Sequence, residues 1–238
     1  MRTPRLNHLI VWMVRENVVV PPTILVTVLG TLLIALSILG TLRSSTISAH
    51  LCYAFTYSGL AIPLAIAVVA SVIVRNVSSF LVELQLARSY GALYFLRLAT
   101  VSIAFLPLTL IAIALTSLNP ALRNSMVACI TLLRCFEAIS ITMFCTMLSI
   151  EKFSAAIGAS LAFVTYMATS IVSSVVPREA LKRLAWLQIA LDPVGGYAQC
   201  FSQGISVPSS SLIIALAMYV TILVATYVAF KRMEVRPE

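Results

Sequence analysis

Polar and apolar positions follow one another along this chain in long blocks rather than residue by residue. Six apolar blocks with few or no charges are separated by shorter, more polar segments. About 20 helical residues, at about 1.5 Å each, cross a bilayer core of about 30 Å. The pattern therefore predicts six transmembrane helices, with approximate bounds 18–42, 51–74, 98–118, 125–150, 153–176 and 209–230.

The fourth block is interrupted by two charges, Arg134 and Glu137. If a helix began after Glu137, only residues 138–150 would remain, and that run is too short to cross the hydrocarbon. Both charges are therefore predicted to lie inside the membrane near mid-depth, on neighbouring positions of one helical face. A charge that faces lipid there costs roughly 2.5–3.5 kcal/mol on insertion scales, so we expect the pair to face protein. A structural ion pair and a role in substrate passage or gating both fit this placement.

The composition agrees with a lipid environment. Of the 238 residues, 61% are hydrophobic and 10% are charged, and the mean hydropathy is +1.03. Soluble domains carry about 25% charged residues. The net charge of +8 does not indicate a nucleic-acid partner, because the basic residues are scattered between apolar blocks rather than collected on one stripe. We predict a single all-α transmembrane domain over residues 1–238, with the lipid bilayer as its surroundings.

Three of the segments outside the spans are also predicted to contain helices. Residues 1–17 have the amphipathic pattern of a helix that lies in the membrane interface. Residues 75–97 are too polar to cross the membrane and too apolar for a loose loop, which favours a second interfacial helix. Residues 177–208 are broken at Asp192-Pro193 into a helix and a second apolar piece. This segment either dips into the membrane edge or forms a surface loop.

The positions of Lys and Arg predict the orientation of the spans. With the N-terminus in the cytosol, ten basic residues lie near the cytosolic ends of the spans and five near the external ends. The five external ones are Arg43, Arg123, Arg178, Lys182 and Arg183. The chain is therefore predicted to be a multi-pass protein of the cell membrane with both termini in the cytosol. Residues 75–97 would then be cytosolic and residues 177–208 external.

The sequence shows no constellation of residues for catalysis or metal binding. The two histidines, His8 and His50, lie outside the predicted spans, and the five cysteines form no Cys-x-x-Cys pair. No Gly is directly followed by Lys, so the phosphate-binding loop of ATPases is absent from the sequence. We predict that the chain is not an enzyme, that it has no catalytic residue and that it holds no metal or cofactor. If the chain uses ATP, that ATP would have to be hydrolysed on another polypeptide.

These features together resemble the membrane subunit of an ABC-2 type transporter, a permease family of ATP-binding-cassette systems that includes many exporters. The resemblance covers the whole chain, from the N-terminal amphipathic helix through six spans to a short basic tail. Locally, residues 80–97 are similar to the coupling segment of the family. Residues 192–197 and 230–235 are similar to what such permeases carry before and after the last span.

The resemblance implies a mechanism, partners and candidate site residues. Permeases of this family form a dimer, with a second copy or a paralogue, around a translocation path. Each docks a cytosolic ABC ATPase that binds ATP and Mg. Carried over to this chain, the residues expected to meet the ATPase are Glu83, Gln85, Arg88 and Ser89. Anchoring at lipid headgroups is the alternative role for these residues. A secondary transporter or channel that uses Arg134 and Glu137 is the alternative function.

Overall fold

The structure, a computed structural model, describes residues 11, 15, 18–74, 89–147 and 154–232. Within these ranges the chain is helical and contains no strand. The helices are α1 (Pro21–Gly40), α2 (Thr46–Ala54), α3 (Ile62–Val74), α4 (Tyr90–Leu118), α5 (Ser125–Met147), α6 (Ser154–Val175), α7 (Arg178–Leu191), α8 (Pro193–Ser202) and α9 (Ser209–Arg232). A π-helical segment, Phe55–Ala61, joins α2 to α3 without a break.

Six of these rods are long and apolar enough to cross a membrane, which confirms the predicted number. They are α1, the continuous rod from α2 to α3, α4, α5, α6 and α9. The third span begins at Tyr90, earlier than the predicted residue 98, because Ser89 caps it. The Ser89 hydroxyl accepts a hydrogen bond from the Ala92 amide at 3.1 Å. The third span, α4, therefore extends beyond its apolar stretch and includes Arg97.

Two predicted features lie mostly outside the described residues. Of the N-terminal interfacial helix, only Val11 and Arg15 are described, and both are helical and exposed. The segment between the second and third spans is undescribed over residues 75–88. The helical character of both segments stays a prediction.

The second and fourth spans form the centre of the bundle. Within the most apolar stretch of each, 72% of the residues are buried inside the protein, against 17–39% in the other four spans. The fourth span, α5, packs against α3, α4, α6, α8 and α9. A helix surrounded by protein can carry polar groups that lipid would exclude. The position of α5 therefore explains how the fourth span can hold two charges.

Residues 178–202 form a helical hairpin that enters the bundle, and we call this segment the hairpin. Helix α7 carries its charges in the first two turns and becomes buried toward its C-terminal end, and α8 is buried from Pro193 to Ala198. At the other end, the Arg178 guanidinium donates to the Gly204 carbonyl at 3.3 Å, so the two ends of the hairpin meet. The break predicted at residues 192–193 is thus the tip of an inserted hairpin, not part of a surface loop.

A pair of glycines lies at the point where α8 folds back against α7. A Cβ atom on Gly196 would lie 2.6 Å from the main-chain carbon and oxygen of Gln188. A Cβ atom on Gly195 would lie 2.8 Å from Oδ2 of Asp192. The space at Gly196 admits no side chain because its neighbours are main-chain atoms of α7, so Gly196 sets how tightly the hairpin closes.

Three glutamines attach the hairpin and the residue that follows it to α6. The Gln188 amide donates to the Thr169 carbonyl at 3.4 Å, and the Gln203 amide donates to the Ser173 carbonyl at 2.5 Å. The Gln199 side-chain oxygen accepts from the Ser173 hydroxyl at 3.0 Å. Inside a bundle of apolar spans, such bonds satisfy polar groups that neither lipid nor apolar side chains could pair.

The reactivity of Cys200 tests whether the hairpin is inserted. Cys200 is fully buried on α8, and burial raises the pKa of its thiol to about 11. Because the thiolate is the reacting form, we expect methanethiosulfonate reagents to modify Cys200 at least ~100-fold more slowly than an ordinary exposed thiol near neutral pH. The rate should rise about tenfold per pH unit below pH ~11.

The measurement uses a background in which the other four cysteines are replaced. The matched control is Ser206→Cys combined with Cys200→Ser, because Ser206 is exposed just beyond the hairpin. Equal rates for Cys200 and the control cysteine would contradict the inserted position of the hairpin.

Candidate functional site

Arg134 is the largest fully buried side chain in the described part of the protein. It lies near the middle of α5, with 0% of its surface exposed. Its Nη1 atom is 2.6 Å from Oε1 of Glu137, one turn later on the same helix, and Glu137 is 3% exposed. The structure therefore brings the two residues together and turns both toward protein rather than toward lipid.

A third charge, Asp192 at the tip of the hairpin, joins this pair. Its Oδ2 atom lies 3.8 Å from Nη2 of Arg134, and the residue is fully buried. Its Oδ1 atom accepts hydrogen bonds from the Ser58 hydroxyl at 3.0 Å and from the Gly195 amide at 2.9 Å. The second of these bonds caps α8, where a negative charge is favourable. Asp192 is therefore held in place by the Gly195 amide of α8, by the Ser58 hydroxyl of the second span and by electrostatic attraction to Arg134.

Arg134 also binds main-chain carbonyls of two neighbouring spans. Nη2 donates to the Ser58 carbonyl at 3.2 Å and to the Ala162 carbonyl at 3.1 Å. One guanidinium group thus contacts the second, fourth and fifth spans and lies within ion-pair distance of the hairpin. Removing it would affect the packing of all of these elements at once.

The sequence around Pro63 explains why the Ser58 carbonyl is available to Arg134. In the π-helical segment, the Ile62 amide donates to the Tyr57 carbonyl instead of to Ser58. The next residue, Pro63, has no amide hydrogen to give. The Ser58 carbonyl is left without a helical donor, and the guanidinium supplies one.

Tyr219 adds the sixth span to this group. Its hydroxyl lies 3.4 Å from Oε2 of Glu137 and donates to the Ala190 carbonyl of α7 at 3.0 Å. Tyr219 is 1% exposed. We call the side chains of Arg134, Glu137, Asp192 and Tyr219 the charge cluster.

The charge cluster leaves several buried polar atoms without hydrogen bonds. Among the described residues, Asp192 Oδ2 and the Nε and Nη1 atoms of Arg134 have no hydrogen-bond partner. Nη1 is in ionic contact with Glu137, at 2.6 Å from Oε1. The contact between Arg134 and the two carboxylates is therefore mainly ionic.

The other predicted site residues are not part of this cluster. Glu83, Gln85 and Arg88 lie outside the described residues. Ser89 is described, and its hydroxyl caps the start of α4. This capping bond is structural, and the expected contact of these four residues with an ATPase stays a prediction.

Two members of the cluster were not assigned from the sequence. Asp192 precedes Pro193, which is the pattern of a helix N-cap, but that local signal does not reveal its distant partner. Tyr219 has no local signal, because an aromatic residue in an apolar span is usually a packing residue. Its bond to Glu137 joins residues 82 positions apart, and only the packing of the spans brings them together.

The described residues contain no group of three or more His, Cys, Asp or Glu side chains that could hold a metal ion. Comparison of the chain with protein-family models, with curated proteins and with solved structures gave no match.

Proposed function

We propose that this chain is the membrane-spanning permease subunit of an ABC-2 type transporter. It moves a substrate across the cell membrane with energy from ATP hydrolysed on a separate cytosolic subunit. The observation that carries the proposal is the hairpin, 178–202, between the fifth and sixth spans. The resemblance to ABC-2 permeases called for a structured segment before the last span. In this chain residues 178–202 form such a segment, and Asp192 at its tip lies within ion-pair distance of Arg134.

The connectivity of the bundle supports a link between residues 75–88 and the charge cluster. Residues 75–88 connect α3 to α4 along the chain, so a partner bound to this segment would act on both helices. Helix α3 continues through the π-helical segment to Ser58, which binds Asp192 and Arg134. A partner that pushes on residues 75–88 would therefore act on the charge cluster through the second span.

A second route runs from the start of α4 to the last span. The Tyr94 hydroxyl donates to the Leu223 carbonyl of α9 at 2.7 Å, and the Tyr94 ring contacts the rings of Tyr227 and Phe230. Helices α4 and α9 are thus tied together near the start of α4, the end that follows residues 75–88 in the chain. Movement of the connecting segment would be passed to the span that carries Tyr219.

Reversal of charge at Glu83 or Arg88 tests the docking of an ATPase. In Glu83→Arg or Arg88→Glu, we expect the copurifying ABC ATPase to be stimulated about tenfold less, equivalent to about 1.4 kcal/mol of lost contact energy. The measurements are pull-down of the ATPase subunit and ATP hydrolysis in proteoliposomes. Glu179→Arg is the matched control, because Glu179 is an exposed carboxylate at the far end of α7. Unchanged pull-down and unchanged stimulation in both variants would contradict the docking role.

The charge cluster favours a second candidate, a secondary transporter or channel. Ionisable groups buried within membrane spans often lie on ion or proton paths. Proteoliposomes that contain only this chain separate the two candidates. Transport driven by an ion gradient without any ATPase would reject the ABC-2 proposal, whereas a strict need for ATP and a second subunit would support it.

A further inference from the structure

The charge cluster is electrically unbalanced when its ionisable groups carry their usual charges. It holds one guanidinium, which stays protonated in proteins, and two carboxylates. Arg134, Glu137 and Asp192 are each at most 3% exposed. Among the described residues, the ion pairs of both carboxylates are made with Arg134 alone. The ionised cluster would therefore bury one uncompensated negative charge.

The other titratable groups around the cluster do not supply the missing positive charge. Tyr219 faces it from α9, Tyr166 from α6 and Tyr57 from the π-helical segment, and Cys135 follows Arg134 on α5. All four are neutral in their protonated forms. An uncompensated charge in a medium of low dielectric constant is costly, and two carboxylates that share one site rarely ionise together.

A bound cation can restore neutrality, and the geometry favours a proton over a metal ion. A sodium or potassium ion needs a shell of several oxygen ligands. Here the free carboxylate oxygen, Asp192 Oδ2, lies 3.8 Å from the guanidinium, so a metal ion bound to it would sit next to another positive charge. A proton needs no such shell. It can add to Oδ2 without displacing either hydrogen bond of Oδ1.

We propose that the charge cluster binds one proton near neutral pH on its carboxylates, so that the hairpin tip and the fourth span meet in an electrically neutral site. The proton belongs to the cluster as a unit rather than to one residue. This inference does not depend on which of the two candidate functions is right.

Infrared spectroscopy of the purified full-length protein in lipid nanodiscs tests the proposal. A protonated carboxyl group has a carbonyl stretch distinct from that of a carboxylate. We expect this band near neutral pH, with an intensity of one group per chain, and we expect it to disappear at high pH. Asp192 is the sole aspartate of the chain, so ¹³C-labelled aspartate assigns any share of the band to Asp192 without a mutation.

Neutralising either carboxylate distinguishes a shared proton from a single buried acid. In Asp192→Asn or Glu137→Gln, the remaining carboxylate balances Arg134, so each variant should lose the whole band. Glu179→Gln is the matched control, because Glu179 is an exposed carboxylate paired with Lys182, and it should keep the band. If a variant fails to fold, the loss of the protonated carboxyl band of the wild-type protein with rising pH still tests the proposal.

Three results would overturn the proposal. The first is a wild-type spectrum with no protonated carboxyl band near neutral pH. The second is a band that persists in either single variant, because a single acid or another group would then carry the proton. The third is a band that vanishes when sodium chloride replaces choline chloride, because a metal cation would then occupy the site instead.

Discussion

Replacement of Arg134 by methionine is expected to destabilise the folded protein by about 3–5 kcal/mol. The guanidinium contacts Glu137, lies within ion-pair distance of Asp192 and donates to the carbonyls of Ser58 and Ala162. Methionine fills much of the same volume but leaves two buried carboxylates without a cation and the Ser58 carbonyl without a donor. The loss arises from unpaired polar groups more than from an empty space.

Reversible unfolding in mixed detergent micelles, followed by circular dichroism, measures this loss. Arg183→Met is the matched control, because Arg183 is exposed on α7, and its effect should stay within about 0.5 kcal/mol. A triple variant that combines Arg134→Met with Glu137→Gln and Asp192→Asn should recover much of the lost stability, since no charge is then left unpaired. An Arg134→Met protein as stable as the control would show that the cluster does not hold the bundle together.

Replacement of Gly196 by alanine is expected to cost about 3 kcal/mol, a large effect for one added methyl group. The new Cβ atom would lie 2.6 Å from main-chain atoms of Gln188, which cannot move aside as the end of a flexible side chain could. Helix α8 would have to separate from α7, and the shift would carry Asp192 away from Ser58 and Arg134.

Gly40→Ala is the matched control for this substitution. Gly40 is the last residue of α1, and a Cβ atom there would meet nothing within 4 Å. Alanine at this position should be neutral or stabilise by up to about 1 kcal/mol, because it restricts the unfolded chain more than glycine does. The same unfolding assay applies to both variants, and Gly196→Ala should also make Cys200 more reactive. Equal stability of the two variants would refute the close crossing of α7 and α8.

The features that were predicted correctly from the sequence are all encoded by residues that lie close together in the chain. The number of spans follows from hydropathy over stretches of about 20 residues. The placement of Arg134 and Glu137 inside the fourth span follows from length, since the remaining apolar run could not cross alone. The break at Asp192 follows from the chemistry of a helix N-cap and a proline. The early start of α4 was missed, although the capping serine was visible, because the span was matched to its apolar stretch alone.

The sequence by itself determined that the chain forms apolar helices, how many of them can cross a membrane and which one carries two charges. Only the tertiary structure decided that Asp192 and Tyr219 meet those charges and that the hairpin reaches the centre of the bundle. The physical reason is that lipid is as apolar as the interior of the bundle. Helix faces that touch lipid and faces that touch protein therefore look alike in the sequence, and the neighbours of each span are settled by shape and by the few polar groups that must find partners.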